Sequence, residues 1–130
     1  MPRVLIIDDN PAVREVMKHV LIRGGWDAVA AASARAGLQL LETVEVDIAL
    51  VDIEMPQMDG YDFCTYLKTH PRWGRLPVVL MTGRSITGVP QKAQAVGAVE
   101  VVSKPFDTEA LLARMRAHVE ASRGSGPETP

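Results

Sequence analysis

The chain switches repeatedly between short apolar runs and segments whose apolar residues recur at helical spacing. Three of the runs, the first, third and fourth, are rich in Val, Ile and Leu, as is typical of strands covered by helices on both faces. The fifth run contains Glu100, and a charge inside a strand favours the edge of a sheet. The pattern predicts five β-strands, at residues 4–7, 28–32, 47–52, 78–82 and 99–103.

A helical pattern follows each predicted strand. After the first strand, Asn10 offers an N-cap and Pro11 suits the first helical position. This helix is predicted to end at the glycine-containing segment 23–25, because Gly is typical of helix ends. The other four helices are predicted from Ser33, over residues 60–67, within 89–96, and from Asp107 to about residue 118.

Strands that alternate with helices favour parallel pairing through right-handed crossover connections. We therefore predict an α/β fold, a three-layer sandwich in which one parallel sheet lies between two layers of helices. The length of 130 residues suits about one domain, which we assign to residues 1–121. Residues 122–130 are polar and rich in Gly and Pro, and this composition predicts a disordered tail or a linker stub.

Composition excludes several classes of protein. The net charge is −2 without clustered Lys and Arg, so direct binding of nucleic acid is not expected. The apolar runs are far shorter than the ~18 residues of a membrane span, and Asp8 and Asp9 interrupt any signal peptide at once. The single cysteine, Cys64, excludes an internal disulfide. We expect a cytoplasmic protein without a membrane partner.

Polar residues follow most of the strong strands. Asp8 and Asp9 come after the first strand, Asp52 ends the third, Thr82 ends the fourth and Lys104 follows the fifth. In open parallel sheets, ligands bind outside the carboxyl ends of the strands, so these side chains are expected to meet at one edge. Three carboxylates together form a site of hard oxygen donors, which suits Mg²⁺.

Carboxylates at such a site can also act chemically. An Asp carboxylate can attack phosphorus and form an aspartyl phosphate. Asp52 is the best candidate nucleophile because it stands alone on a central strand, whereas Asp8 and Asp9 are adjacent. Phosphoryl transfer depends mainly on positioning and charge neutralisation, which the metal, the Lys104 ammonium and the Thr82 hydroxyl could supply.

Four sequence elements, "VLIIDD", "ALVDIEMPQMDG", "VVLMTG" and "SKPF", occur in an order and spacing that resemble the receiver domain of bacterial response regulators. The resemblance covers about residues 3–120. It implies a flavodoxin-like fold with five helices and a five-stranded parallel sheet in the order 2-1-3-4-5. It also implies a signalling module of a two-component or phosphorelay system, which catalyses only its own phosphorylation and dephosphorylation.

The resemblance assigns roles to the acidic residues. It implies that Asp52 is the phosphoacceptor, charged by a histidine kinase or a histidine phosphotransfer protein. Asp9 and Asp52 would bind Mg²⁺ directly, together with the backbone carbonyl of Glu54. Asp8 would hold water molecules of the metal.

The resemblance also implies roles outside the acidic cluster. Thr82 would donate a hydrogen bond to the phosphoryl group on activation, and Lys104 would pair with it. The peptide between residues 104 and 105 is cis in the family. A downstream protein would bind the face formed by the fourth and fifth helices, and the same face permits a homodimer.

One position departs from the usual family pattern, and two others correspond to family positions that tune the phosphoryl lifetime. The family usually has Tyr or Phe where this chain has Val101, so we expect phosphorylation to move Thr82 but to change the surface of the fourth helix less. Glu54 and Arg84 occupy two positions that tune the phosphoryl lifetime in the family. They could pair across the mouth of the site and obstruct water, or they could be independently solvated.

Two other functions compete with this interpretation. A haloacid-dehalogenase-like phosphatase would need a second Asp two residues after the first and usually a cap insertion, whereas Asp8 and Asp9 are adjacent. A receiver-fold interaction module that works without phosphorylation predicts losses among the acids or Lys104. All are present, although Val101 keeps this alternative open. The sequence fits both a single-domain regulator and a receiver cut from a longer chain.

Overall fold

The structure, a computed structural model, describes residues 2–124. Five strands alternate with five helices along this part of the chain, as the apolar pattern predicts. The elements are β1 (Arg3–Ile7), α1 (Pro11–Arg23), β2 (Asp27–Ala31), α2 (Ala34–Thr43), β3 (Ile48–Asp52), α3 (Gly60–Lys68), β4 (Val78–Thr82), α4 (Val89–Ala95), β5 (Glu100–Ser103) and α5 (Thr108–Gly124).

The five strands form one parallel sheet in the order β2-β1-β3-β4-β5. The predicted three-layer α/β sandwich and its strand order are therefore confirmed. The strand that carries Glu100 lies at an edge of the sheet, also as predicted. In the register of the central pair, Ile7 lies opposite Val51, so the residues that follow them emerge side by side.

The strands bury apolar side chains on both faces because successive residues point to opposite sides of a sheet. Val4 and Ile6 of β1 pack in one cluster with residues of α1 and α5. Leu5 and Ile7 pack in the other, with residues of α2, α3 and α4. The helices therefore cover the sheet as two layers, and the polar strand ends remain at the edge between the layers.

Side-chain caps start several helices where the sequence predicts them. The Asn10 carboxamide oxygen accepts hydrogen bonds from the backbone N–H groups of Ala12 and Val13. The Ser33 hydroxyl caps α2, and the Asp107 carboxylate accepts a bond from an N–H in the first turn of α5. These caps satisfy N–H groups that have no partner within the helix.

The final helix extends further than predicted. We expected its end at about residue 118, but α5 spans 17 residues and ends at Gly124. Its buried residues Leu111, Met115 and Val119 are spaced four apart, so the apolar stripe holds the helix against the sheet beyond the predicted end. Of the predicted tail, residues 122–124 continue α5 and residues 125–130 lie outside the described part. No helix within residues 2–124 is long and apolar enough to cross a membrane.

Gly60 allows α3 to begin directly against the end of β3. A Cβ atom here would lie 2.8 Å from the Asp52 carbonyl oxygen and 2.9 Å from Ile53 Cα. Both are backbone atoms, so a Gly60→Ala substitution must displace the strand end that carries Asp52. We expect the free energy of unfolding to fall by about 1–3 kcal/mol, as measured by urea denaturation.

Gly83→Ala is the matched control, because a Cβ at Gly83 meets nothing within 4 Å. We expect this variant to change the free energy of unfolding by less than about 0.5 kcal/mol. Equal stability of the Gly60→Ala variant and the parent chain would contradict the proposed packing of α3 against β3.

Candidate functional site

Three carboxylates meet at the carboxyl ends of the central strands. Asp8 and Asp9 follow β1, and Asp52 is the last residue of β3, the neighbouring strand. One carboxylate oxygen of each lies within 4.8 Å of the other two. Asp8 and Asp52 are buried, whereas Asp9 is exposed. The cluster is therefore open to solvent on the side of Asp9.

Lys104 compensates the charge of the two buried acids. Its Nζ atom lies 3.1 Å from Asp8 Oδ2 and 3.3 Å from Asp52 Oδ2. The loop between β5 and α5 carries this lysine, and its backbone N–H donates a 2.8 Å hydrogen bond to the carbonyl of Thr82. The Lys104–Pro105 peptide is cis, in agreement with the prediction. Of the two adjacent acids after β1, the buried Asp8 is thus compensated by the Lys104 ammonium, whereas Asp9 is exposed to solvent.

Further hydrogen bonds fix the orientation of the Asp8 carboxylate. Its Oδ1 atom accepts a 2.9 Å bond from the backbone N–H of Asn10, while Oδ2 faces Lys104. The Arg14 guanidinium donates a 2.8 Å bond to the Asp8 carbonyl oxygen. The start of α1 therefore holds Asp8 in place, and charged donors lie around its backbone and its side chain.

Burial sets the protonation behaviour of the site. The pKa of Asp52 is raised, first by burial and further by the Asp8 charge, although Lys104 and the Glu54 N–H oppose the change. Burial alone would lower the pKa of Lys104, but its hydrogen bonds and charge interactions with Asp8 and Asp52 outweigh burial and raise it. Lys104 is thus held as a cation, whereas burial makes the ionised form of Asp52 less favourable than that of an exposed aspartate.

Glu54 contacts the end of β4 through both carboxylate oxygens. Its Oε2 atom accepts a 2.7 Å hydrogen bond from the buried Thr82 hydroxyl, and Oε1 accepts a 3.1 Å bond from the Gly83 N–H. The Glu54 backbone N–H donates to Asp52 Oδ1 at 3.1 Å. The sequence predicts Glu54 only as a metal ligand through its backbone carbonyl or as a partner of Arg84 at the mouth of the site. In the structure its carboxylate also contacts Thr82 directly.

Arg84 interacts with the site through its backbone. Its N–H donates a 3.1 Å bond to the Thr82 hydroxyl oxygen. Within residues 2–124, no ion pair joins its exposed side chain to Glu54. Of the two interpretations of this pair, the structure favours separate side chains. The effect of Glu54 and Arg84 on the phosphoryl lifetime stays a prediction.

Val101 lies on β5 and is half-buried. In the register of the sheet it faces Leu80 of β4, and it packs against the core cluster under α2, α3 and α4. A valine here has no ring that could exchange between an exposed and a buried position. The expected weaker response of the α4 surface stays a prediction.

The donor set suits Mg²⁺. The ion prefers oxygen ligands, commonly one or two carboxylates with water and phosphate oxygens. The carboxylates of Asp8, Asp9 and Asp52 lie close enough together to offer such ligands from one side. The backbone carbonyl of Glu54, two residues after Asp52, is a fourth candidate ligand by resemblance to the family.

The contact between Glu54 and Thr82 is the feature of the site that the sequence analysis missed. A signal for it exists in the sheet order, because β3 and β4 are neighbours and Asp52 lies opposite Met81. A side chain two residues after Asp52 can therefore reach the residues that follow Met81. The conformation of that side chain is not encoded in the motif.

The sequence of residues 4–116 matches the family model described as the response regulator receiver domain. This match covers most of the chain and all of the strand-end residues described above. The chain belongs to the response regulator receiver domain family. The family assignment that the four sequence elements suggested is thereby confirmed.

Curated relatives agree with this assignment. This receiver domain is 34% identical over 119 residues to the DNA-binding dual master transcriptional regulator RpaA of Synechocystis, which covers 90% of this chain and 48% of the relative. It is 30% identical over 117 residues to Protein PilG of Pseudomonas aeruginosa, covering 90% of this chain and 87% of the relative. The chain spans about half the length of the first curated relatives that it matches.

Solved structures share the fold of this receiver domain. The chemotaxis protein CheY4 of Vibrio cholerae superimposes with a TM-score of 0.83 at 28% identity, covering 90% of this chain and 98% of the other. Receiver domains are in general signalling modules rather than turnover enzymes, and they interact with histidine kinases. The phosphatase alternative is therefore set aside in favour of a two-component signalling module.

Proposed function

We propose that this receiver domain accepts a phosphoryl group on Asp52 from a histidine kinase or a histidine phosphotransfer protein, and that the resulting conformational change relays the signal. One observation carries the proposal. Asp52 ends the central strand with the Lys104 ammonium 3.3 Å from its carboxylate and with Asp8 and Asp9 beside it. Nucleophile, cation and candidate metal ligands thus lie within one small site.

The chemistry follows from these positions. An Asp52 carboxylate oxygen forms a bond to phosphorus while the bond from phosphorus to the donor breaks, and the donor group leaves with the electron pair of that bond. Lys104 would neutralise charge next to the new phosphoryl group, and the Thr82 hydroxyl, which donates to Glu54 in this structure, would donate to it on activation. Bound Mg²⁺, held directly by Asp9, Asp52 and the Glu54 carbonyl and through water molecules by Asp8, would supply further charge neutralisation.

The proposed output is a contact with another protein through the face formed by α4, β5 and α5. Ile86, in the loop before α4, and Val99, just before β5, are large apolar side chains that remain exposed. The Val99 N–H donates to the carbonyl of Val78 at the start of β4, whereas Ile86 follows the end of β4, so these two side chains lie at opposite ends of the face. A downstream protein or a second copy of the domain would bind here. The predicted cytoplasmic location and the absence of direct nucleic-acid binding stay predictions.

Intact-mass measurement after incubation with acetyl phosphate tests the proposal. With Mg²⁺ we expect the mass to rise by the ~80 Da of one phosphoryl group, and with EDTA in place of Mg²⁺ we expect little or no adduct. An unchanged mass in both conditions, for a protein shown to be folded by circular dichroism, would contradict the proposal. That result would favour the interaction module that works without phosphorylation.

A further inference from the structure

The Glu54 carboxylate already occupies the hydrogen-bond donors at the end of β4. The Thr82 hydroxyl donates to Oε2 at 2.7 Å and the Gly83 N–H donates to Oε1 at 3.1 Å. The Thr82 hydroxyl oxygen in turn accepts the N–H of Arg84 at 3.1 Å. Because a hydroxyl has a single hydrogen, Thr82 has no second proton to offer to another acceptor.

These donors lie next to the proposed phosphorylation site. Thr82 ends β4, and β4 pairs with β3 so that Asp52 lies opposite Met81. A phosphoryl group on Asp52 brings negatively charged oxygen acceptors to this strand end. It would compete with Glu54 for the same protons, and the two negative groups would also repel each other.

We propose that Glu54 is an intramolecular competitor of the phosphoryl group. In the unphosphorylated domain its carboxylate holds the Thr82 hydroxyl and the Gly83 amide, and it must move away before these donors can bind the phosphoryl oxygens. This inference rests on the proposed function, because it concerns how the same site is regulated. The half-buried position of Glu54 leaves a path for the carboxylate to turn into solvent.

The expected size of the effect follows from the type of bond. Hydrogen bonds to a carboxylate are stronger than those between neutral groups. Activation has to break two of them, so the apparent affinity for a phosphoryl mimic is reduced. Removal of the Glu54 charge should raise that affinity by about tenfold.

Equilibrium binding of beryllofluoride in the presence of Mg²⁺ tests the inference without interference from hydrolysis. Isothermal titration would compare the full chain with its Glu54→Gln and Glu54→Ala variants, both of which keep the backbone carbonyl proposed as a metal ligand. We expect both variants to bind beryllofluoride about tenfold more tightly than the parent. Equal or weaker binding by both variants would overturn the inference.

Glu45→Gln is the matched control. Glu45 is exposed and precedes β3, so it lies at the opposite edge of the sheet from Asp52. The five residues of β3 span roughly 16 Å, more than the screening length of about 8–10 Å in physiological salt. We expect this variant to bind beryllofluoride like the parent. A gain equal to that of Glu54→Gln would show a general charge effect and overturn the inference.

Two further measurements separate competition from a merely structural role. The amide proton of Gly83, followed by NMR without ligand, should shift in the Glu54→Gln variant and not in Glu45→Gln. In a Thr82→Val background, the gain from Glu54→Gln should shrink, because only the Gly83 amide remains to be released. An undiminished gain in that background would show that Thr82 is not the contested donor.

The outcomes also distinguish this inference from the proposed function. If neither the parent nor any variant binds beryllofluoride or gains the acetyl phosphate adduct, both the proposed function and the inference fail. If the parent binds beryllofluoride and forms the adduct but the Glu54 variants show no tighter binding, the proposed function stands and the competition alone is wrong.

Discussion

An Asp52→Asn variant is expected to gain no phosphoryl adduct from acetyl phosphate and Mg²⁺, whereas the parent gains ~80 Da. The carboxamide is a poor nucleophile, and the neighbouring acids cannot replace Asp52. The Asp8 carboxylate is fully buried, with Oδ1 bonded to the Asn10 N–H and Oδ2 to Lys104. Asp9 is exposed and has no lysine ammonium beside it in the described part of the chain. Intact mass measures the result.

We expect the Asp52→Asn variant to be more stable than the parent. Greater stability would show that this variant lacks the adduct although it is folded. The pKa of Asp52 is raised by burial above its ordinary value of 3.8, so the folded state binds this proton more tightly than the unfolded state. The contribution of Asp52 to the free energy of unfolding is therefore lost as the pH rises from about 3.8, its pKa in the unfolded chain, through its raised pKa in the folded protein. At pH 7 without Mg²⁺, we expect Asp52→Asn to unfold at a higher urea concentration.

Asp9→Asn is the matched comparison for phosphorylation. It makes the same chemical change at a proposed metal ligand but keeps the nucleophile, so adduct formation should slow without being abolished. An adduct on Asp52→Asn at the parental rate would exclude Asp52 as the phosphoacceptor. If Asp9→Asn abolished adduct formation and Asp52→Asn left it unchanged, Asp9 rather than Asp52 would be the phosphoacceptor.

A Lys104→Met variant should lose stability when divalent cations are removed. The side chains of Asp8 and Asp52 are 1% and 7% exposed, and Lys104 Nζ is the ammonium that contacts both. Its removal leaves two buried carboxylates without a counter-charge. We expect the free energy of unfolding in EDTA to fall by about 2–4 kcal/mol, as measured by urea denaturation.

Mg²⁺ and a second substitution separate this charge effect from lost packing. Added Mg²⁺ should restore much of the stability of Lys104→Met, because the ion would take over charge compensation at the same acids. Combining Lys104→Met with Asp52→Asn should also recover stability, since one of the two buried charges is gone. Parental stability of Lys104→Met in EDTA would contradict the charge-compensation argument.

Lys92→Met provides the control for removing a lysine elsewhere. Lys92 is exposed, and its ammonium lies 4.5 Å from the centre of the Tyr61 ring, away from any buried acid pair. We expect a loss of no more than about 1 kcal/mol, without a dependence on Mg²⁺. A Mg²⁺-dependent loss as large as that of Lys104→Met would show that the effect does not arise at the acid cluster.

The fold and the residues of the site were predictable because each depends on local pattern. Apolar runs separated by helical spacing specify parallel strands, and parallel strands bring their carboxyl ends to one edge. Asp8, Asp52 and Lys104 consequently meet there, as expected from their positions in sequence. The rule that ligands bind at this edge was itself drawn partly from a chemotaxis member of this fold family.

Two features could not be predicted because they depend on tertiary packing and side-chain conformation. The end of α5 follows the burial of Val119 against the sheet rather than any local stop signal near residue 118. The Glu54 carboxylate bonds Thr82 instead of pairing with Arg84, and no sequence pattern fixes the rotamer of a half-buried acid. The contact that determines how the site is held before phosphorylation is therefore visible only in the structure.

Peptide mapping of the chain after incubation with acetyl phosphate and Mg²⁺ identifies the residue that carries the new group. We predict that the phosphoryl group lies on Asp52 and that it is absent when EDTA replaces Mg²⁺. A phosphoryl group found on Asp8, Asp9 or a histidine, or on Asp52 to the same extent without Mg²⁺, would contradict a metal-assisted transfer to the acid at the end of the central strand.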